Sequence, residues 1–198
     1  MHYHGLVLDA VRPGRRSALD IGCGDGMLAR KLAERIPTVT GVDFSGEMIR
    51  LARERSSPSL NMTFEEADFL DDTDGLLPEG KFEFVSAVAV VHHAEFSQAI
   101  EAMVRLLAPG GRLVIIGLAR NRTPLEWIIG VAGLPVAKWT ARRQGGKSDP
   151  KGMPVQMPAM SWGEVRQEAA RLLPGCRFRR HLLWRYSLVR DKPSASTR

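Results

Sequence analysis

The sequence predicts a single α/β domain on a seven-stranded sheet, mostly parallel, with an antiparallel hairpin at its C-terminal end. Three observations carry that reading. Short apolar runs alternate with helix-periodic stretches through the first 118 residues, the pattern of parallel strands joined by right-handed crossovers. After Ala119 the rhythm breaks, and two strand candidates, "RFRRHLL" and "RYSLV", lie close enough to pair as a hairpin. With 198 residues, 44% of them apolar and 25% charged, the chain can bury one core without disulfides.

The elements follow in order. "SALDI" is a short apolar run ending at Gly22, and "MLARKLAERI" after it repeats Leu28, Leu32 and Ile36 at helical spacing. "TVTGVD", rich in β-branched residues, predicts the second strand. Ser45 is placed to cap a helix over "GEMIRLARERS", whose inner stripe is Met48, Ile49, Leu51 and Ala52. "NMTFEEA" predicts a third strand, and "FEFVSAVAVV" a fourth that is covered on both faces. "AEFSQAIEAMVRLL" predicts an amphipathic helix stopped by "APGG", with "RLVIIGL" as the fifth strand. Next come two short helices, "TPLEWIIGVAG" and "LPVAKWTARR", and a loop over 144–159 with three glycines and three prolines. Ser161 and Glu164 form a capping box for "WGEVRQEAARLL", which Pro174 and Gly175 end, and the tail "DKPSASTR" has a disordered composition.

Cys23 and Cys176 show no framework spacing and read as reduced thiols, small buried hydrophobes of a cytosolic protein. No signal peptide stands at the N-terminus, and "WIIGVAGLPVAKW" is too short and too interrupted to span a bilayer, so a cytoplasmic location is expected. The net charge of +6 is uneven. Residues 1–119 carry 12 Lys/Arg against 17 Asp/Glu, while residues 120–198 carry 16 against 5. A basic face can attract nucleic acid, an anionic membrane or an acidic small molecule, but no arginine-rich run or aromatic interleaving marks RNA binding, and a solvated surface is the favoured reading.

Gly22, Gly24 and Gly26 stand where the first strand hands over to the first helix, the place where an open parallel sheet binds ligands. Asp43 closes the second strand 21 residues after Gly22, the spacing of a carboxylate that holds ribose hydroxyls, so a nucleoside is the expected ligand. A dinucleotide site would place its third glycine where Met27 stands. The carboxylates Asp20 and Asp25 would repel a pyrophosphate and suit a ligand carrying an ammonium and a sulfonium.

"LDIGCGDG", "GVDFS", "EEADFL", "AVVHHAE" and "LLAPGGRLVIIG" resemble, in order, the motifs of class I S-adenosylmethionine-dependent methyltransferases. The match is to the small bacterial group that includes quinone-biosynthesis methyltransferases. It covers roughly residues 17–118 and implies a Rossmann-like, doubly wound fold with S-adenosylmethionine as cofactor. By that resemblance Asp20, Gly22, Cys23, Gly24 and Gly26 cradle the methionine part and Asp43 binds the ribose. Phe44 lies near the adenine, Met48 is a further cofactor-binding residue, Asp68 accepts from the adenine amino group with Phe69 beside it, and Val90 and Val91 line the methionine site. The one departure is Glu83, in "FEFV" where the family has "FDLV", away from the site.

Methyl transfer from a sulfonium is an in-line displacement in which the protein mainly aligns the reactants. His92 and His93 are the candidate catalytic bases, needed only for a hydroxyl or acidic-carbon acceptor; either can instead shape the pocket. Asp71, Asp72 and Asp74 read as solvated, so no metal is expected. Trp127, Trp139 and Trp162 either line an aromatic pocket or pack in the core. Arg142, Arg143 and Lys147 either close over an acidic acceptor or face solvent. Little chain precedes the first strand, so residues 120–160, as an insertion, or a second subunit in a homodimer would cover the acceptor. The expected function is methyl transfer to a small-molecule acceptor. Two alternatives stand beside it: a non-catalytic S-adenosylmethionine-binding regulator or partner subunit, and an RNA methyltransferase. Against the latter, "AVVHHAE" lacks the Asn/Asp-Pro-Pro-aromatic signature at that strand end.

Overall fold

Strand β1 (Ser17–Ile21) lies inside the sheet, next to its central strand, and is buried along most of its length. It pairs in parallel with β2 (Thr38–Asp43) on one side and with β4 (Phe82–Val88) on the other, so the strand order reverses there. The structure is a computed structural model that describes residues 3–56, 61–71, 75–120, 159–181 and 184–194. The seven strands run β3-β2-β1-β4-β5-β7-β6, with β3 at Met62–Glu66, β5 at Leu107–Leu118, β6 at Arg177–Arg180 and β7 at Arg185–Asp191. The first five are parallel, and β7 pairs antiparallel with both β5 and β6. The expected mostly parallel sheet with a C-terminal hairpin is therefore present.

Helices cover both faces, as strands buried on both sides require. Helices α1 (His4–Asp9), α2 (Met27–Ala33) and α3 (Gly46–Arg55) pack one face through Val7, Leu32, Ile49, Val39 and Phe84. Helices α4 (Phe96–Leu106) and α5 (Trp162–Leu172) pack the other through Met103, Val165, Val85 and Ile115. The caps form as expected. The Ser45 hydroxyl accepts from the Met48 N–H at 3.4 Å, and Ser161 and Glu164 make a reciprocal capping box.

Three boundaries differ from the sequence reading. Helix α1 was not expected; its C-terminal end is tied down by the buried Arg112 guanidinium, which donates to the Ala10 carbonyl at 2.9 Å and bidentately to Asp191. "APGG" stops α4 but does not delay the next strand. β5 begins at Leu107, opposite Phe82, and its register against β4 shifts before Arg112 meets Phe84, so the breakers form a bulge. The fourth strand ends at Val88 rather than running through "VV". The helices expected over 123–143, the loop over 144–159 as far as residue 158, and hence most of the expected insertion lie outside the described residues.

Candidate active site

The turn after β1 is pulled open by backbone geometry and tied down by one carboxylate. Gly22 and Gly24 have φ of +64° and +53°, the left-handed region that side chains resist. The Cys23 N–H donates to the Val42 carbonyl at 3.0 Å, and the Gly24 N–H donates to Asp43 Oδ2 at 2.9 Å. Asp43 Oδ1 accepts from the Ser45 N–H at 3.0 Å, so one side chain at the end of β2 organises two turns. Each of its oxygens still has a lone pair for a ligand. Cys23 contributes backbone here; its thiol is packed in the core, and burial pushes its ionisation upward.

Asp20 is buried on β1. One oxygen accepts from the Ser86 hydroxyl of β4 at 2.8 Å; the other, Oδ2, is buried and hydrogen-bonds nothing. Burial lifts this carboxyl to about 7, the Ser86 hydrogen bond opposes that rise, and the charge of Asp43 adds to it. Asp25 does not join it. Its carboxylate is ion-paired with Arg55 of α3 and accepts from the Met27 N–H, so only one of the two extra carboxylates is available to a cationic ligand.

The other expected cofactor residues lie along the same sheet edge. Phe44 is 76% exposed, an apolar ring left on the rim. Met48 is half-buried on the first turn of α3. The Ala67 N–H donates to the Asp43 carbonyl at 3.1 Å, which brings the chain after β3 to this edge. Asp68 follows, exposed, its Oδ1 accepting from the Leu70 N–H at 2.9 Å, with Phe69 half-buried beside it.

Strand β4 stops because Ala89 turns left-handed, with φ of +59°, while its N–H donates to the Ile116 carbonyl at 2.8 Å. Val90 then packs against Gly22, and Val91–His93 form a 3-10 turn. The rings of His92 and His93 lie 4.0 Å apart. His92 is half-buried, with its Nδ1 buried and hydrogen-bonding nothing; burial and the charges of His93 and Arg185 push it down to about 4, so it is neutral at pH 7. His93 is exposed.

His92 lines a cavity of about 480 Å³ between the 3-10 turn, α4 and α5, together with Leu118, Met160 and Tyr186. The sequence reading missed this wall. Its signal is the glycine inside "RLVIIGL": a Cβ at Gly117 would stand 2.3 Å from the Tyr186 hydroxyl oxygen, and a bare position within a strand marks such an approach. Trp162 is 5% exposed with the Arg180 guanidinium 4.8 Å from its ring centre, which places it in the packing rather than in the cavity wall. Trp127, Trp139, Arg142, Arg143, Lys147, Asp72 and Asp74 lie outside the described residues. Among the described residues no helix is long and apolar enough to cross a membrane.

A methyltransferase-domain family matches residues 18–111. An uncharacterized methyltransferase of Mycobacterium tuberculosis is 34% identical over 194 residues, covering 93% of this chain and 91% of that protein. A ubiquinone biosynthesis O-methyltransferase of Xanthomonas campestris is also 34% identical, over 66% of this chain and only 52% of its own length. Among solved structures, a SAM-dependent methyltransferase from Aquifex aeolicus superimposes with a TM-score of 0.63 at 18% identity, covering 95% of this chain and 88% of that one. The N-methyltransferase NodS from Bradyrhizobium japonicum also gives 0.63 at 18% identity, covering 98% and 96%. At these identities the structural likeness speaks for the fold.

Proposed function

The chain belongs to the class I S-adenosylmethionine-dependent methyltransferases, and from that premise we propose that it transfers a methyl group to a small-molecule acceptor. The observation that carries the reading is Asp20 Oδ2, a buried carboxylate oxygen with no partner beside a bare backbone turn. A buried polar atom without a partner is costly, and the ammonium of the methionine part would satisfy it while holding the carboxyl ionised.

The remaining residues fit the same cofactor. A Cβ built on Gly24 meets nothing within 4 Å, so this stretch of backbone is open to a ligand. Asp43 has a lone pair on each oxygen for a ribose diol, after its bonds to the Gly24 and Ser45 N–H groups. Phe44 offers an exposed ring face to a base. When bound, S-adenosylmethionine supplies an activated methyl group and its own leaving group, which leaves the protein the work of orientation. Val90, wedged against Gly22, sets the distance between the cofactor turn and the 3-10 turn. His92, neutral and at the cavity wall, can accept a hydrogen bond from a hydroxyl acceptor at its unpartnered Nδ1 and orient it toward the cofactor turn.

Calorimetry with S-adenosylhomocysteine tests the binding half of this reading. Transfer of a labelled methyl group to a metabolite extract, with the product identified by mass, tests the other half. Tight binding with no transferred label would instead make the chain a regulator or partner subunit.

A further inference from the structure

The cavity beside the 3-10 turn has walls that restrict its contents. Val91, Phe96, Leu118 and Val165 give it an apolar body. Among the described residues its uncharged polar side chains are Ser97, whose hydroxyl donates to Glu95, His92 after β4, and Tyr186 on β7, which is 2% exposed and pressed onto the bare backbone of Gly117. The charged side chains among the described residues at its edge are committed elsewhere. Arg171 is paired with Glu168 at 2.9 Å, while Glu95 caps α4, accepting from the Ser97 and Gln98 N–H groups and the Ser97 hydroxyl.

Resting on the methyltransferase reading above, we propose that this cavity is the acceptor site, and that it takes an uncharged, apolar-bodied compound presenting one hydroxyl to His92 and Tyr186. Its volume of about 480 Å³ lies within the range of small-molecule sites. Val90 touches Gly22 and His92 lines the cavity two residues later, so a single short turn joins the cofactor crevice to this space. The unpartnered Nδ1 of His92 is an acceptor waiting for a donor. Glu95 and Glu168, the described carboxylates at the edge, already hold the α4 cap and Arg171, so an ammonium head group would find no free partner there. An anionic head group would compete with Glu168 for Arg171 at the exposed edge and would find only Val91, Phe96 and Val165 on the apolar walls.

Three probes sharing a naphthalene ring test this by calorimetry on the full chain saturated with S-adenosylhomocysteine: 2-naphthalenemethanol, 2-naphthoate and 2-naphthylmethylammonium. The alcohol is expected to bind at least about tenfold tighter than either ion. Tyr186→Phe should weaken it roughly five- to tenfold. Met160→Trp, which fills the rim, should abolish alcohol binding, with S-adenosylhomocysteine affinity as the check that the fold is intact. Equal or tighter binding of either ion, or alcohol binding that survives Met160→Trp, overturns the proposal. If S-adenosylhomocysteine itself does not bind, the methyltransferase reading has failed separately. The same probes on the free chain then decide for the cavity: preference for the alcohol supports it and no preference overturns it.

Discussion

Val90 stands so close to Gly22 that a Cβ on the glycine would lie 2.3 Å from the valine Cγ2. The turns after β1 and β4 therefore form one packed unit, and neither can be rebuilt alone. Steric contact and a φ of +64° both oppose a side chain at position 22. Gly22→Ala is expected to lower unfolding stability by roughly 2–4 kcal/mol in urea titrations. Adding Val90→Ala should recover about half, because it relieves the contact but not the backbone. A Gly22→Ala chain as stable as wild type would show that the two turns do not meet in this way.

Asp43 is bound from both sides, by the Gly24 N–H and the Ser45 N–H. Its loss should act twice. Asp43→Ala is expected to weaken S-adenosylhomocysteine binding about a hundredfold, or roughly 3 kcal/mol, through two missing charge-assisted bonds to the ribose. It should also lower the stability of the free chain by about 1–2 kcal/mol, since two turn amides lose their acceptor. Calorimetry and thermal unfolding separate the two effects; unchanged affinity removes the ribose assignment.

Much of this was legible in the sequence, and the gaps have physical causes. β1 and β2 stand where "SALDI" and "TVTGVD" placed them, because glycine and proline punctuate them, the first is a short apolar run and the second is rich in β-branched residues. The end of β4 was not legible, since "AVV" continues the apolar run and only the left-handed turn at Ala89 breaks it. Asp25 was counted as a free charge because its partner, Arg55, lies thirty residues away. Glu83, the one departure from the family pattern, accepts from the Arg16 N–H at 2.8 Å and ties down the chain entering β1. The cavity draws on residues from Val91 to Tyr186, and no local pattern announces a wall assembled over that distance.

His92 and His93 belong to the acceptor side of the crevice, beyond Val90. Replacing both with Ala should leave S-adenosylhomocysteine affinity within a few-fold while any methyl transfer to a hydroxyl acceptor falls by about 10²–10⁴. A complete loss of cofactor binding would mean that the pair holds the turn together instead.

Arg112 is buried and joins three elements, donating to both oxygens of Asp191 on β7 at 2.7 and 2.9 Å and to the Ala10 carbonyl after α1. Asp191→Ala would strand that guanidinium. Because the Asp191 side chain is 37% exposed, the expected cost is discounted to about 1–3 kcal/mol. Arg112→Met, which keeps the buried stem and removes the charge, should cost less. Urea titration of the two variants checks the order, and the reverse order would mean that the ion pair itself is the stabilising element.

Asp20 makes the pH dependence of the free and bound chain differ. Its folded value near 7 lies above the unfolded 3.8, so the stability it contributes is present below about 4 and is lost as pH rises through 7. His4 and His92 run the other way. Burial holds each near 4 against 6.5, so their contribution is present above 6.5 and is lost as pH falls toward 4. Asp20→Asn removes only the first of these effects, and the variant should gain on wild type as pH goes from 5 to 8 in thermal unfolding. Pairing with the cofactor's ammonium requires the ionised carboxylate, so binding at pH 6 should release close to one proton, measurable by calorimetry in buffers of different ionisation heat. Affinity should then climb up to about tenfold per pH unit below 7 and level off above it, a slope that Asp20→Asn erases. Binding at pH 6 without proton release in the wild-type chain would mean that Asp20 Oδ2 does not meet the ligand.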